Sequence, residues 1–392
     1  MQKPEKYSWL KSIVAEALGL SQDRAQRLLE SRSTRILKYR GITYMTIRRD
    51  IGDHYEGTVI LYSNKTGEYR VVEGYPHIPR VLLLSRAVPR HFIDNVIVEE
   101  KMDGHNVRVV RFDGEIYAIT RGGYICPYTT ARMRRKYGRN LEKIFDNLGD
   151  DAVVAGEVVG MENPYTRYYY PEAPEWDYFV FDIFEGPLEF LSVENRRSIV
   201  EEAGMRNVRL LGIVPKESWE EIASIVRGLE TLGREGIVMK DPHYRVDPLK
   251  YTTSYINARD IMEGMKYPFD EGHTFIFSRV LRQMFKAVEE GWDESRLRME
   301  AHRIGEAILI PAVESLKAHI RGEPVAEQFT LTFYNKEELD EYIVYMYSLG
   351  VLITLVSLEE LSDGRIRATF VKHKKTEDQF KRIMRTGLSP LD

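Results

Sequence analysis

One cysteine, Cys126, stands in 392 residues, which excludes an internal disulfide and argues against a thiolate-held zinc. No stretch approaches the roughly eighteen consecutive apolar residues that a membrane-spanning helix needs. Residues Met1 to Lys6 lack the apolar core of a secretory signal, so a reducing cytoplasm is the expected setting. A His-Glu-x-x-His metal site, a Gly-x-Ser-x-Gly elbow and a Walker-type Gly-Lys-Thr/Ser loop are all missing, which removes three common chemistries. There is no internal repeat and no low-complexity tract. A large excess of one charge is absent too. The formal net charge of −4 is not the footprint of a chain coated in nucleic acid, so any polynucleotide contact has to come from local basic patches.

What is present is the composition of a globular protein with a densely charged surface, 43% hydrophobic and 30% charged, long enough for about two to four domains. Residues 1–90 open with helical spacing (Leu10, Ile13, Val14 and Ala17 on one face), and Ser21 is placed to cap a second helix. Strand-like runs follow at 42–47, 58–62 and 69–72, the last two joined by a turn at 64–67. This predicts a small α+β domain. Residues 91–257 alternate strands with short helices. From residue 258 the pattern is helical, with Phe277, Val280, Leu281, Met284, Phe285 and Val288 at 3–4 spacing. Ile304, Ile308, Leu316 and Ile320 continue it around Pro311, which is expected to kink or start a helix. Gly322-Glu323-Pro324 marks a boundary, and 323–392 reads as a second small α+β domain of strand, helix, strand, strand and helix. The basic run Arg132 to Arg139 lies on a predicted helix whose apolar face is Met133, Tyr137, Leu141, Ile144 and Leu148. It reads equally as a solvated helix face or as a phosphate contact. A second cluster, Lys372 to Lys375, carries the same ambiguity.

The chemistry-bearing residues fall in one order. Lys101-Met102-Asp103-Gly104 sits between the apolar runs Val96 to Val98 and Val107 to Val110. Alone, such a Lys-x-Asp-Gly string arises by accident in roughly one chain of this length in ten. Here four further segments follow: Ala155 to Val159 around Glu157, Tyr178 to Phe184, Glu235 to Lys240, and Pro248 to Tyr251 around Lys250. Each sets charged or aromatic side chains within or beside a β-branched run. A carboxylate inside such a run is costly if buried without a partner, which points to function.

The set resembles the covalent nucleotidyltransferases, which comprise ATP-dependent DNA ligases, RNA ligases and capping enzymes, over about residues 90–257. The whole-chain plan is most similar to the archaeal-type ATP-dependent RNA ligases. The resemblance implies an α+β multidomain protein whose catalytic core has two antiparallel sheets. It divides the chain into an N-terminal domain (1–90), a nucleotidyltransferase domain (91–257), a helical dimerisation domain (258–322) and a C-terminal domain (323–392). It implies ATP and Mg²⁺, RNA 5′-phosphate and 3′-hydroxyl ends as substrates, RNA processing as the setting, and a homodimer. Lys101 would be the nucleophile that carries AMP. Arg121 would contact the ribose, and Glu157 the ribose hydroxyl or a hydrated metal. Phe181 would stack on the purine, with Glu99 near the adenine amino group. Glu235 would bind the divalent ion, and Lys240 and Lys250 would neutralise phosphates. The family's last motif often holds two lysines one residue apart; here only Lys250 is present, followed by Tyr251 and Thr252. A sixth motif, Arg-x-Asp-Lys in DNA ligases and capping enzymes, is not found after residue 258. A DNA or other polynucleotide ligase, and a non-catalytic RNA-binding relative, remain the alternatives.

Overall fold

The computed structural model describes residue 7 and residues 9–391. Helices α1 (Leu10–Ala17) and α2 (Gln22–Glu30) lead into β1 (Thr34–Tyr39), β2 (Ile42–Ile47), β3 (Val59–Ser63) and β4 (Tyr69–Val72). After α3 (Leu84–His91) come β5 (Asn95–Lys101), β6 (His105–Phe112), β7 (Glu115–Thr120), α4 (Pro127–Leu148), β8 (Val153–Val159) and β9 (Asp177–Glu185). Short strands β10 (Glu189–Phe190) and β11 (Arg206–Asn207) flank α5 (Val193–Glu202), followed by β12 (Leu210–Pro215), α6 (Trp219–Thr231), β13 (Gly236–Lys240) and β14 (Leu249–Thr252). Helices α7 (Ser254–Met265), α8 (His273–Glu289) and α9 (Glu294–Ile320) precede β15 (Ala326–Phe333), α10 (Lys336–Ser348), β16 (Ile353–Glu360), β17 (Ile366–His373) and α11 (Lys375–Thr386). The class is the mixed α+β one expected, and the pairings are antiparallel apart from β11 on β9 and isolated bridges. Among the described residues no helix is long and apolar enough to cross a membrane.

Two compact units assemble from segments that are distant in sequence. One contains residues 1–77, 104–208 and 336–348; the other contains 78–103, 209–335 and 349–392. In the first unit, β1 to β4 form a sheet in chain order, and α1 and α2 bury Leu10, Val14, Ala25 and Leu28 against Ile36, Met45, Ile47 and Ile60. Ser21 caps α2 by accepting from the Arg24 amide. Strand β1 was not expected, because Arg35 and Lys38 break up its apolar run. Its signal lies in the turn instead: Arg40 and Gly41 both have positive φ, 42° and 84°, as a two-residue hairpin turn requires. The unit's larger sheet runs β10-β9-β8-β6-β7 with β11 beside β9. Helix α4 buries Met133, Tyr137, Leu141 and Ile144 as the spacing predicts. Its basic run is largely neutralised: Arg132 pairs with Glu162, Arg134 with Glu115 and Arg135 with Glu338 at 3.0 Å, and Lys136 with Asp177 at 2.9 Å. That favours the structural over the phosphate-binding reading of the run.

In the second unit, β12-β5-β13-β14 form a sheet whose apolar face (Val96, Val98, Ile237, Met239, Leu249 and Tyr251) packs with Val88 of α3 and Ile222 and Val226 of α6. Strands β15-β17-β16 make a small antiparallel sheet. Lys372 and Lys374 both pair with Glu327 there, so two of the cluster's lysines are internally paired. Pro311 lies inside the 27-residue α9 rather than at its start, since so long a helix tolerates the loss of one backbone hydrogen bond. Helices α8 and α9 have an inverted pattern. Gln283, Lys286 and Glu300 are buried and interlinked with Asn257 and Glu230, whereas Phe277 (66% exposed), Val288 (77%) and Leu309 (65%) face outward.

Candidate active site

Strand register explains why the charged motif residues of the second unit share one face. Lys101 pairs with Gly236 and Glu99 with Val238, which in turn pairs with Lys250; Ile97 pairs with Lys240. Cross-strand partners project to the same side and alternate residues share a face. Lys101, Glu99, Lys240 and Lys250 therefore stand on the face opposite the apolar core, together with Thr252. The Lys101 amine donates to Glu235 at 2.8 Å, with side chains 23% and 13% exposed. Lys240 and Glu99 pair at 3.0 Å, each only 1% exposed, so neither presents a bare charge to solvent. Asp103 pairs with Arg259, and Asp260 with Arg279 at 2.8 Å. None of the last three was singled out from the sequence, because they lie on α7 and α8 outside any recognisable motif.

The first unit carries Arg121, Glu157 and Phe181. Asn106 pairs with Glu157, which pairs with Phe179, and the Arg121 amide donates to the Asn106 carbonyl at 3.1 Å. Arg121, in the turn just after β7, thus lies beside Asn106 of β6, whose partner on β8 is Glu157. Between Ala155 and Gly156 the register slips, so Phe181 is the extra residue of a β-bulge, a device that re-aims a side chain. Phe181 is half-buried and meets Tyr75 edge-on at 5.2 Å, while the Tyr75 hydroxyl donates to Asp182. Gly104 admits no side chain, because a Cβ would come 2.1 Å from the Val158 carbonyl oxygen. His105 is held by Asn163 at 2.9 Å, and burial pushes its imidazole down to about 3. It is therefore a neutral structural group at ordinary pH. The cavity of about 1400 Å³ in this unit, lined by Arg35, Arg40, Glu341 and Tyr345 among others, contains none of the motif residues.

Burial pushes the Glu235 carboxyl up to about 7; Lys101 opposes the rise, and Asp103 and Asp260 add to it. A carboxyl whose folded pKa is raised holds its proton longer in the folded chain than in the unfolded one. Stability therefore falls as pH climbs from the ordinary value of 4.5 towards 7. Glu235→Gln cannot ionise. Without nucleotide or metal, its stability relative to the parent should improve across that window by on the order of 3 kcal/mol. Urea midpoints of the two proteins at a series of pH values check this, and parallel pH profiles would contradict it.

Three comparisons bear on what this arrangement belongs to. Residues 94–252 match the RNA ligase family, and residues 263–387 match the C-terminal region of the Pab1020 ligase. An uncharacterised protein of Methanocaldococcus jannaschii is 35% identical over 93% of both chains. A solved archaeal ATP-dependent RNA ligase is 38% identical with a TM-score of 0.89, covering 97% of this chain and 99% of that one. A provisionally named ATP-dependent DNA ligase of Aquifex aeolicus is 27% identical with a TM-score of 0.84, covering 94% of this chain and 100% of that one.

Proposed function

The chain belongs to the archaeal ATP-dependent RNA ligase family and is an RNA ligase enzyme, and from that premise we propose how its own residues divide the work. Lys101 attacks the α-phosphorus of ATP. A P–N bond forms, the bond from that phosphorus to the bridging oxygen breaks, and pyrophosphate leaves with the electron pair. The AMP then passes to an RNA 5′-phosphate, and a 3′-hydroxyl displaces it to form a phosphodiester. The observation that carries this reading is the register that puts Lys101, Glu99, Lys240 and Lys250 on one sheet face, with Lys101 held by Glu235. Transfer of this kind depends on positioning and charge neutralisation more than on general acids and bases, and the residue set supplies both. Phe181 stacks on the adenine, Arg121 and Glu157 hold the ribose, Glu99 lies towards the adenine amino group, and Lys240 and Lys250 neutralise phosphates.

Glu235 is the group that would hold Mg²⁺. Among the described residues no three His, Cys, Asp or Glu side chains converge on one point, but Mg²⁺ needs only one or two carboxylates beside substrate phosphates and water. A single buried carboxyl whose charged form is disfavoured fits that demand. Bound there, Mg²⁺ would offset the charge of the triphosphate. Glu157, the second carboxylate assigned to the metal, is carried by the other unit.

We assign catalysis to residues 91–257 and self-association to 258–322, with 1–90 and 323–392 as accessory domains. The exposed Phe277, Val280, Met284 and Val288, at 3–4 spacing along α8, support a homodimer, since an uncovered apolar helix face marks an interaction site. Light scattering at micromolar concentration should give twice the monomer mass, and Val288→Glu should return it to one, because a buried unpaired charge costs several kcal/mol. A parent protein that stays monomeric rules the dimer out. The similarity to a DNA ligase-like chain keeps joining of DNA as the second reading. Incubation with labelled ATP or GTP and Mg²⁺, followed by sealing of matched RNA and DNA strands, tests both. Adduct with ATP and sealing of RNA are expected; sealing of DNA alone would overturn the assignment.

A further inference from the structure

A pair of arginines that no motif contains lies beside this site. The segment preceding α3 lies alongside β14: the Val81 amide donates to the Lys250 carbonyl and the Lys250 amide to the Pro79 carbonyl, both at 2.9 Å. This makes Arg80 the bridge partner of Lys250, so the two project to the same face of the sheet. Arg80 donates to the Thr252 hydroxyl at 3.0 Å, and Arg282 of α8 donates to the side-chain oxygen of Asn257 at 3.2 Å. The Thr252 hydroxyl also donates to that oxygen, at 3.5 Å, joining the two guanidinium groups through one polar bridge.

Both acceptors are neutral. The neighbouring Arg259 and Arg279 are each paired with a carboxylate, Asp103 and Asp260, yet among the described residues neither Arg80 nor Arg282 makes an ion pair. The carboxylates whose charge reaches them, Glu235 and Asp260, are each hydrogen-bonded to another cation, Lys101 and Arg279. Burial lowers both guanidinium groups, Arg282 to about 10, and their mutual repulsion together with that of Arg279 adds to the lowering of Arg282. Two half-buried like charges are unfavourable in this state and become favourable when an anion lies between them.

We propose that Arg80 and Arg282 bind the pyrophosphate portion of ATP and stabilise it as it leaves Lys101. The proposal rests on the RNA ligase reading and extends it. Breaking the bond to the α-phosphorus places a full negative charge on an oxygen of the departing pyrophosphate. Lys250 alone supplies one cation where the related pattern often has two, and Arg80 adds the second from a separate segment at the same level of the sheet. Arg282 adds a third from α8. Each can offer a paired N–H fork to phosphate oxygens, which suits a polyanion better than a single ammonium does.

Pyrophosphate use separates this role from the others. Parent protein carrying labelled AMP should release it as ATP when given inorganic pyrophosphate. In Arg80→Gln and Arg282→Gln the concentration of pyrophosphate needed should rise roughly 10- to 100-fold, as should the KM for ATP in adduct formation. Sealing of RNA already adenylated at its 5′ end should change less than about twofold, since no pyrophosphate takes part. Arg80→Lys should recover part of the loss. Unchanged pyrophosphate dependence in either folded glutamine variant overturns the proposal. So does normal adduct formation with failed transfer of AMP to RNA, which would assign the pair to the RNA 5′-phosphate. Should the glutamine variants fail to fold, inhibition of adduct formation by pyrophosphate, compared between parent and Arg80→Lys, decides instead, and equal inhibition overturns it. A parent protein that forms no adduct at all would count against the ligase mechanism rather than against this pair.

Discussion

Lys101→Ala should abolish transfer of labelled AMP to the protein and leave the chain folded. The first half follows from chemistry: Lys101 is the amine that donates to Glu235, at 2.8 Å, whereas Lys240 is 1% exposed and held by Glu99. The second half follows from burial. The Lys101 side chain is 23% exposed, so its removal opens no closed cavity. It also does not strand a charge, since Glu235 already has its carboxyl pushed up to about 7 with the lysine in place and can take a proton without it. The same variant should still seal RNA adenylated beforehand at its 5′ end, because that step no longer needs the nucleophile. Gel detection of labelled protein, alongside sealing of a pre-adenylated strand, measures both. A persistent covalent adduct in the variant would remove Lys101 from its assigned role.

Local patterns made most of the elements legible, and they made one half of the site more legible than the other. The period of two in residues 95–101 and 236–240 sets Lys101, Glu99 and Lys240 on one face and Val96, Val98, Ile237 and Met239 on the other, although Glu100 falls on the apolar side and Ile97 and Val238 on the charged one. Phe181 is different. Strict alternation would align it with Phe179, and only the slipped register between β8 and β9 singles it out. Arg80 and Arg282 were not legible at all. Arg80 follows a proline outside every regular run, and its neighbour Lys250 is reached by a bridge between segments far apart in the chain. The spacing of α8 gave its apolar stripe but not the direction it faces. A polar buried side held by Gln283, Lys286 and Glu300 depends on partners in other elements, which no periodicity records.

Lys240 is the residue for which structural and chemical roles are hardest to separate, and a two-step substitution should separate them. Lys240→Met alone removes the cation that stands 3.0 Å from the Glu99 carboxylate, itself only 1% exposed, a change worth about 3–5 kcal/mol of stability. Adding Glu99→Leu removes the stranded charge. A buried ion pair replaced by apolar groups of similar volume is often close to neutral, so the double variant should regain most of the parent's urea midpoint. A double variant that stays as unstable as the single one would show that the pair holds more of the strand than its own charge. Activity then reads the remaining role. If Lys240 neutralises a phosphate during transfer of AMP to Lys101, the stable double variant at saturating ATP should still form adduct at least about tenfold more slowly than Glu99→Leu alone, which already lacks the adenine contact assigned to Glu99, since one charge-assisted contact in the transition state is gone. If adduct forms at the rate of Glu99→Leu alone, Lys240 serves only to hold Glu99 and β13 in place, and the charge on the phosphates is met by Lys250 and its neighbours on the same face.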